Sequence, residues 1–185
     1  FASGERPWRD VRTVAPLAGF VLAAAALLVI SGISKLARPE PAAKALAAAG
    51  WPSSPSLSRS LGGAEVAIGA WALAMGGPAP TAVLALVYLA FAGFSAHLMR
   101  VAPGGTDCGC FGTTGTNVSR THIVTNTVVA VAISSTLINP VGGVADVIAN
   151  SPGSGIPLLA LSTLLAGSVA RLLAGRLPGT SLGSR

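Results

Sequence analysis

The chain has 185 residues, 51% hydrophobic and only 10% charged, with a mean hydropathy of +0.69. A soluble domain carries about 25% charged residues, so the composition excludes an ordinary soluble globule and points to an integral membrane protein. The net charge of +6 is not a nucleic-acid signature, because the basic residues sit at the ends of apolar stretches, where topology determinants belong.

Five apolar stretches read as membrane spans, at about 14–34, 61–77, 80–99, 121–137 and 156–173. A crossing helix needs roughly 17–25 residues, and the second and fourth stretches are at the short end. Arg6, Arg9 and Arg12 precede the first stretch. Its apolar run is longer than the roughly 7–15 residues of a signal-peptide core, and no clean small-residue cleavage site follows it. Because the chain opens on Phe1, a processed or missing upstream segment is expected. The linker over 35–60 holds Pro39, Pro41, Pro52 and Pro55, and its Ala-rich middle at 42–49 predicts a short helix at the interface. Gly76-Gly77-Pro78-Ala79-Pro80 predicts a tight turn, which makes a hairpin of the second and third spans. A Gly- and Thr-rich loop at 101–120 separates the third and fourth spans, and a Gly/Pro/Asn loop at 139–155 leads to the fifth. The expected architecture is all-α and polytopic: one transmembrane domain over 1–177, built as a four-helix transmembrane bundle with a fifth C-terminal transmembrane helix, followed by a flexible tail at 178–185. The many Gly and Ala residues suit helices whose backbones approach closely in lipid.

If all five stretches cross, alternate loops share a side. Lys35, Arg38, Lys44, Arg59, Arg100, Arg120, Arg171, Arg176 and Arg185 then face one side, and Arg6, Arg9 and Arg12 the other. The positive-inside rule places the first group, and the loop between the third and fourth spans, in the cytoplasm. Lys35, Arg59, Arg100 and Arg120 lie at span ends, where long side chains snorkel to either interface. Trp8, Trp51 and Trp71 suit interfacial anchoring, with mid-span burial as the alternative for Trp71.

The two cysteines of the chain are Cys108 and Cys110, in Asp107-Cys108-Gly109-Cys110-Phe111-Gly112. A Cys-x-Cys pair can close on itself where the side chains converge, and a small strained ring is the exchange-competent kind of disulfide. Asp107 raises a neighbouring thiol's pKa by charge repulsion, and Arg100 or Arg120 offsets this if the fold brings either near. The alternatives are a static bridge or two inert thiols. Zinc is disfavoured, because only His97 and His122 remain to complete four ligands; copper(I) held by two thiolates is a further alternative. His97, near the end of the third span, and His122, at the start of the fourth, are candidate proton carriers for thiolate chemistry or else interfacial histidines. Asn126, one turn beyond His122, is a candidate interhelical hydrogen-bonding residue. Phe111 is expected to pack the cysteine loop onto the helices. Glu65 is the acid inside a predicted span, and intramembrane carboxylates are functional or paired. Lys35 is its candidate partner; the alternative is a Glu close to a helix N-terminus, held by the helix dipole.

Taken in order, Ser31-Gly32-Ile33-Ser34-Lys35-Leu36, Leu61-Gly62-Gly63-Ala64-Glu65, Cys108-Gly109-Cys110-Phe111-Gly112, and His122 with Asn126 resemble the MauE branch of the MauE/DoxX membrane proteins. The resemblance covers roughly residues 15–140. It implies thiol–disulfide chemistry at a bacterial plasma membrane, with a thioredoxin-like partner and a role in maturing methylamine dehydrogenase. Such a role suits an outward-facing pair, against the charge count. Similar four-helix redox proteins of the DsbB and VKOR types pass electrons to a quinone; this chain lacks their second cysteine pair. Membership as a non-catalytic subunit of a larger membrane complex is the alternative that the resemblance leaves open.

Overall fold

The computed structural model describes residues 11–102, 118–138 and 141–145, with side chains from Leu17 onward. Among the described residues there are five helices and no strand: α1 (Val11–Ala37), α2 (Glu40–Ala48), α3 (Pro55–Met75), α4 (Pro78–Val101) and α5 (Arg120–Ser135). The stretch expected as a fifth span, 156–173, lies outside the described residues.

Local chemistry explains most of the boundaries. Pro39 disfavours helical backbone at the preceding residue, and α1 closes at Ala37. Pro41 sits in the first turn of α2, where its missing N–H costs nothing. Helix α3 begins at Pro55, well before the expected start near Leu61. Ser54 is its N-cap and accepts the Leu57 N–H at 3.0 Å. The Ser- and Arg-rich run that reads as linker is therefore the first turns of a capped helix. Between α3 and α4 the chain reverses through Gly76 (φ +58°) and Gly77 (φ +86°). These are left-handed conformations that favour glycine.

Helix α1 packs most extensively on α3, and α4 on α5. The two pairs share a core of Val21, Ala25 and Leu28 from α1, Leu84 and Tyr88 from α4, and Ala130 and Ile133 from α5. Gly32 faces Gly62 and, further along, Gly69 faces Ala25, so α1 and α3 run in opposite directions at backbone contact. A Cβ at Gly32 would lie 2.5 Å from the Gly62 carbonyl oxygen. Small residues at the crossing are what permit this approach.

Among the described residues, two helices are long and apolar enough to cross a membrane: Leu17–Ala37 of α1 and Pro78–Val101 of α4. Helices α3 and α5, expected as spans, are weaker. Arg59, Glu65 and several Ser and Gly residues interrupt α3. Helix α5 has 16 residues and is rich in Thr and Ser; at about 1.5 Å per residue it is roughly 24 Å long. Each strongly apolar helix thus packs mainly against a weaker one. Trp71 is 40% exposed on α3 rather than buried mid-span.

The short helix α2 contacts α1, α3 and α4 and closes the end at which α1 and α4 finish and α3 and α5 begin. At the opposite end, residues after α5 return to the α3–α4 turn. The Gly77 N–H donates to the Val141 carbonyl at 2.9 Å, and Gly76 and Gly142 form an isolated antiparallel bridge.

Candidate functional site

Cys108, Cys110, Asp107 and Phe111 lie outside the described residues; the two ends of the segment that carries them do not. Helix α4 closes at Val101, and its cap, Ala102, donates its N–H to the Leu98 carbonyl. The chain is described again at Val118. Ala102 and Val118 both pack against a small cluster of Ala45 and Ala49 around α2 and Leu98 of α4, and Leu98 is fully buried. The described residues on either side of 103–117 thus pack on one patch, at the end closed by α2.

The two histidines flank that patch and have defined partners. His97 Nε2 lies 3.0 Å from the Ala49 carbonyl oxygen. A carbonyl only accepts, so Nε2 is the protonated nitrogen in this contact. The ring also stacks on Trp51, with centroids 5.9 Å apart, and Trp51 meets Phe94 edge-on at 5.4 Å. His97 therefore ties the α2 C-terminus to α4. His122 is the third residue of α5, and its Nδ1 accepts the backbone N–H of the N-cap Ser119 at 3.3 Å. The Ser119 hydroxyl is 3.0 Å from the same nitrogen. This is a capping box, with histidine in place of the usual Glu or Gln. Asn126 is half-buried one turn further along.

A second polar constellation is buried where α1, α3 and α4 meet. Lys35 Nζ donates to Glu65 Oε2 at 2.8 Å and to Ser31 Oγ at 2.7 Å. It also sits 5.6 Å from the Phe91 ring centroid, close enough for a cation–π contribution. Ser31 in turn hydrogen-bonds the Glu65 carboxylate. Lys35 and Glu65 are 5% and 6% exposed, so Lys35 is not available to snorkel to an interface. Glu65 is three turns into α3 because that helix begins at Pro55, beyond the first turn over which a helix dipole acts. The Lys35 ammonium is its charge partner. Nearby, Tyr88 donates its hydroxyl proton to the Ala24 carbonyl at 2.8 Å across α1 and α4.

The spacing of the sequence motifs now has a physical meaning. Ser31 and Lys35 are four apart on α1, and Gly62 and Glu65 three apart on α3, so each pair lies on one helix face. Gly32 and Gly62 bring the backbones together and the polar residues close the contact. The parts that sequence reasoning did not place are Ser31 in the network, Tyr88 as a crosslink and Trp51 against His97. Tyr88 carried a signal, as the only tyrosine of the chain in an apolar stretch. The Trp51 contact carried none, since it depends on where α2 lies.

This arrangement can do two things chemically. It packs Ala102 and Val118, the described residues on either side of the cysteine motif, against one patch, and it holds a charge-compensated ion pair in an apolar interior. Among the described residues no three His, Cys, Asp or Glu side chains are grouped to hold a metal.

No match was found among curated proteins, and none among solved structures. The family model for methylamine utilisation protein MauE matches residues 13–139. That match runs from the first turn of α1 to just past α5 and takes in the Lys35–Glu65 contact, the α2 cap and the cysteine segment, so the chain belongs to the MauE family.

Proposed function

We propose that this chain is a multi-pass protein of the bacterial plasma membrane, with α1, α3, α4 and α5 crossing as a four-helix transmembrane bundle. We further propose that it performs thiol–disulfide exchange through Cys108 and Cys110, in the setting of methylamine utilisation that its family name describes. The observation that supports the reading is the shared packing of the two described residues nearest the cysteine motif. Ala102 and Val118 pack against one patch, and on this reading a partner's disulfide meets the two thiols at the end of the protein that α2 closes.

The exchange is balanced without a further carrier. The thiolate of one cysteine attacks a sulfur of the partner's disulfide. A mixed disulfide forms, and the partner's other sulfur leaves as a thiolate and takes up a proton. The second cysteine, as thiolate, then attacks the mixed disulfide. The Cys108–Cys110 bond forms and the partner leaves as a dithiol. Two electrons and two protons have moved from the pair to the partner, and the reverse order oxidises the partner. A thioredoxin-like protein supplies or accepts them. A quinone is the alternative terminal acceptor, although a full relay needs a second cysteine pair and the chain has two cysteines in all. That count is also what favours the second reading, an accessory subunit of a membrane complex in which Cys108–Cys110 is a fixed bridge.

The test uses the full chain in membrane vesicles, reduced and then mixed with oxidised thioredoxin as the probe. Wild type is expected to reduce the probe. Cys108→Ser and Cys110→Ser are each expected to lose turnover, and one of them to accumulate the mixed disulfide. Exchange at the wild-type rate by both single variants would refute the mechanism. A pair that mild reductant does not open would establish the fixed bridge. Membrane-impermeant thiol reagents applied to intact cells and to inverted vesicles identify the compartment served.

A further inference from the structure

The thiol chemistry proposed above leaves the buried Ser31, Lys35 and Glu65 unused. Charged groups within a bilayer are costly, and a well-packed apolar pair often stabilises as well as a buried ion pair or better. Stability alone therefore does not account for them. What an ion pair adds is direction. Apolar surfaces slide past one another with little change in energy, whereas the Lys35–Glu65 contact at 2.8 Å exists in one register of α1 on α3.

That register has a downstream consequence. Lys35 lies in the last turn of α1, and the chain passes through Pro39 directly into α2. Fixing the end of α1 therefore fixes the start of α2. Ala45 of α2 and Ala49 at its C-cap form, with Leu98, the patch against which Ala102 and Val118 pack. The C-cap carbonyl of Ala49 is also the acceptor for His97. Glu65 is thus linked through Lys35, the short α1–α2 connection and the α2 patch to Ala102 and Val118, the described residues on either side of the cysteine segment, a contiguous route along which coupling can travel.

We infer that Ser31, Lys35 and Glu65 are positioning residues: a polar latch that sets α1 on α3, and through α2 holds the patch from which the Cys108/Cys110 segment leaves. The inference rests on the thiol–disulfide reading for its purpose and on the Lys35–Glu65 contact for its geometry. The latch acts through α2.

The experiment uses the full chain in lipid nanodiscs with the cysteines reduced. Two quantities are read: the rate at which a maleimide alkylates Cys108 and Cys110, and the midpoint of their equilibrium with glutathione. The variants are Lys35→Met, Glu65→Gln, the apolar double K35M/E65L and the charge exchange K35E/E65K. Loosening the patch is expected to change alkylation about tenfold in the single variants, as local opening becomes easier, and to move the glutathione midpoint. The charge exchange restores both. The apolar double restores thermal stability and leaves alkylation altered, because apolar contact holds the helices without setting their register. Alkylation at the wild-type rate in every folded variant overturns the latch, and so does its full recovery in the apolar double. Should the single variants not fold, the two doubles decide by the same criteria. Failure of the wild-type pair to exchange with oxidised thioredoxin would refute the redox reading alone, since the alkylation comparison does not depend on turnover.

Discussion

A methyl group added at Gly32 tests the close approach of α1 and α3. A Cβ there would lie 2.5 Å from the Gly62 carbonyl oxygen and 2.9 Å from the Val66 backbone nitrogen. Both are backbone atoms of α3, so no side chain can turn aside to relieve the contact. Reaching an ordinary separation of about 3.4 Å requires the helices to part by about 0.9 Å at this point. The same displacement stretches the Lys35–Glu65 contact from 2.8 Å to about 3.7 Å, beyond hydrogen-bond length. Overpacking of this kind costs about 1–3 kcal/mol, and loss of a charge-assisted hydrogen bond adds about 1.5–3 kcal/mol. Gly32→Ala is therefore expected to destabilise by about 2.5–6 kcal/mol. Gly63→Ala is the matched control. It lies on the same helix as Gly62, and a Cβ there meets nothing within 4 Å. Relief of glycine's conformational entropy is expected to stabilise it by about 0.4–1 kcal/mol. The assay is equilibrium unfolding in mild detergent by titration with dodecyl sulfate, followed by helical circular dichroism. If Gly32→Ala and Gly63→Ala unfold at the same point, the glycine contact is not what joins the two helices.

Two further substitutions probe the helix start and the α1–α4 crosslink. Ser54→Ala removes the acceptor for the Leu57 N–H and is expected to cost about 1 kcal/mol, whereas Ser60→Ala, an exposed position inside α3, should lie within about 0.5 kcal/mol of wild type. Equal effects in the unfolding assay would place the start of α3 later than Pro55. Tyr88→Phe removes the hydroxyl that donates to the Ala24 carbonyl at 2.8 Å, for an expected loss of about 0.5–1.5 kcal/mol. Hydrogen exchange should show the loss in α1 around Ala24 and Leu28; protection unchanged there would exclude the crosslink.

The parts of the fold that the sequence displays are those carried by short-range spacing. Ser31-x-x-x-Lys35 and Gly62-x-x-Glu65 each define one helix face, so a contact between them could be anticipated from the chain alone. The glycine–proline turn at 76–80 and the short helix after Pro39 are legible for the same reason. The start of α3 is not, because Ser54, Ser56, Ser58 and Arg59 have the composition of a linker; only the cap geometry at Ser54 reveals a helix. The choice of neighbours is hidden too. Residues exposed to lipid and residues facing the core are both apolar, so periodicity does not say that α1 takes α3 and α4 takes α5. The roles of His97 and His122 were ambiguous because each depends on a partner set by long-range packing or by a helix cap: Ala49 at the end of α2 for one, and Ser119 for the other. The cysteine motif is plain in the sequence, while the structure describes the patch at its two ends.

The pairing of strongly with weakly apolar helices bears on how such a chain is made. Helix α1 leaves the ribosome before α3, and α4 before α5. Each of the two helices least able to enter lipid unaided therefore arrives after the helix that will shelter it. For α3 the shelter includes the counter-charge, since Lys35 is synthesised 30 residues before Glu65. If α3 crosses as proposed, reversing that order by circular permutation would send Glu65 into the bilayer ahead of its ammonium. On the proposed topology, the order of synthesis therefore delivers Glu65 to a counter-charge that is already in place.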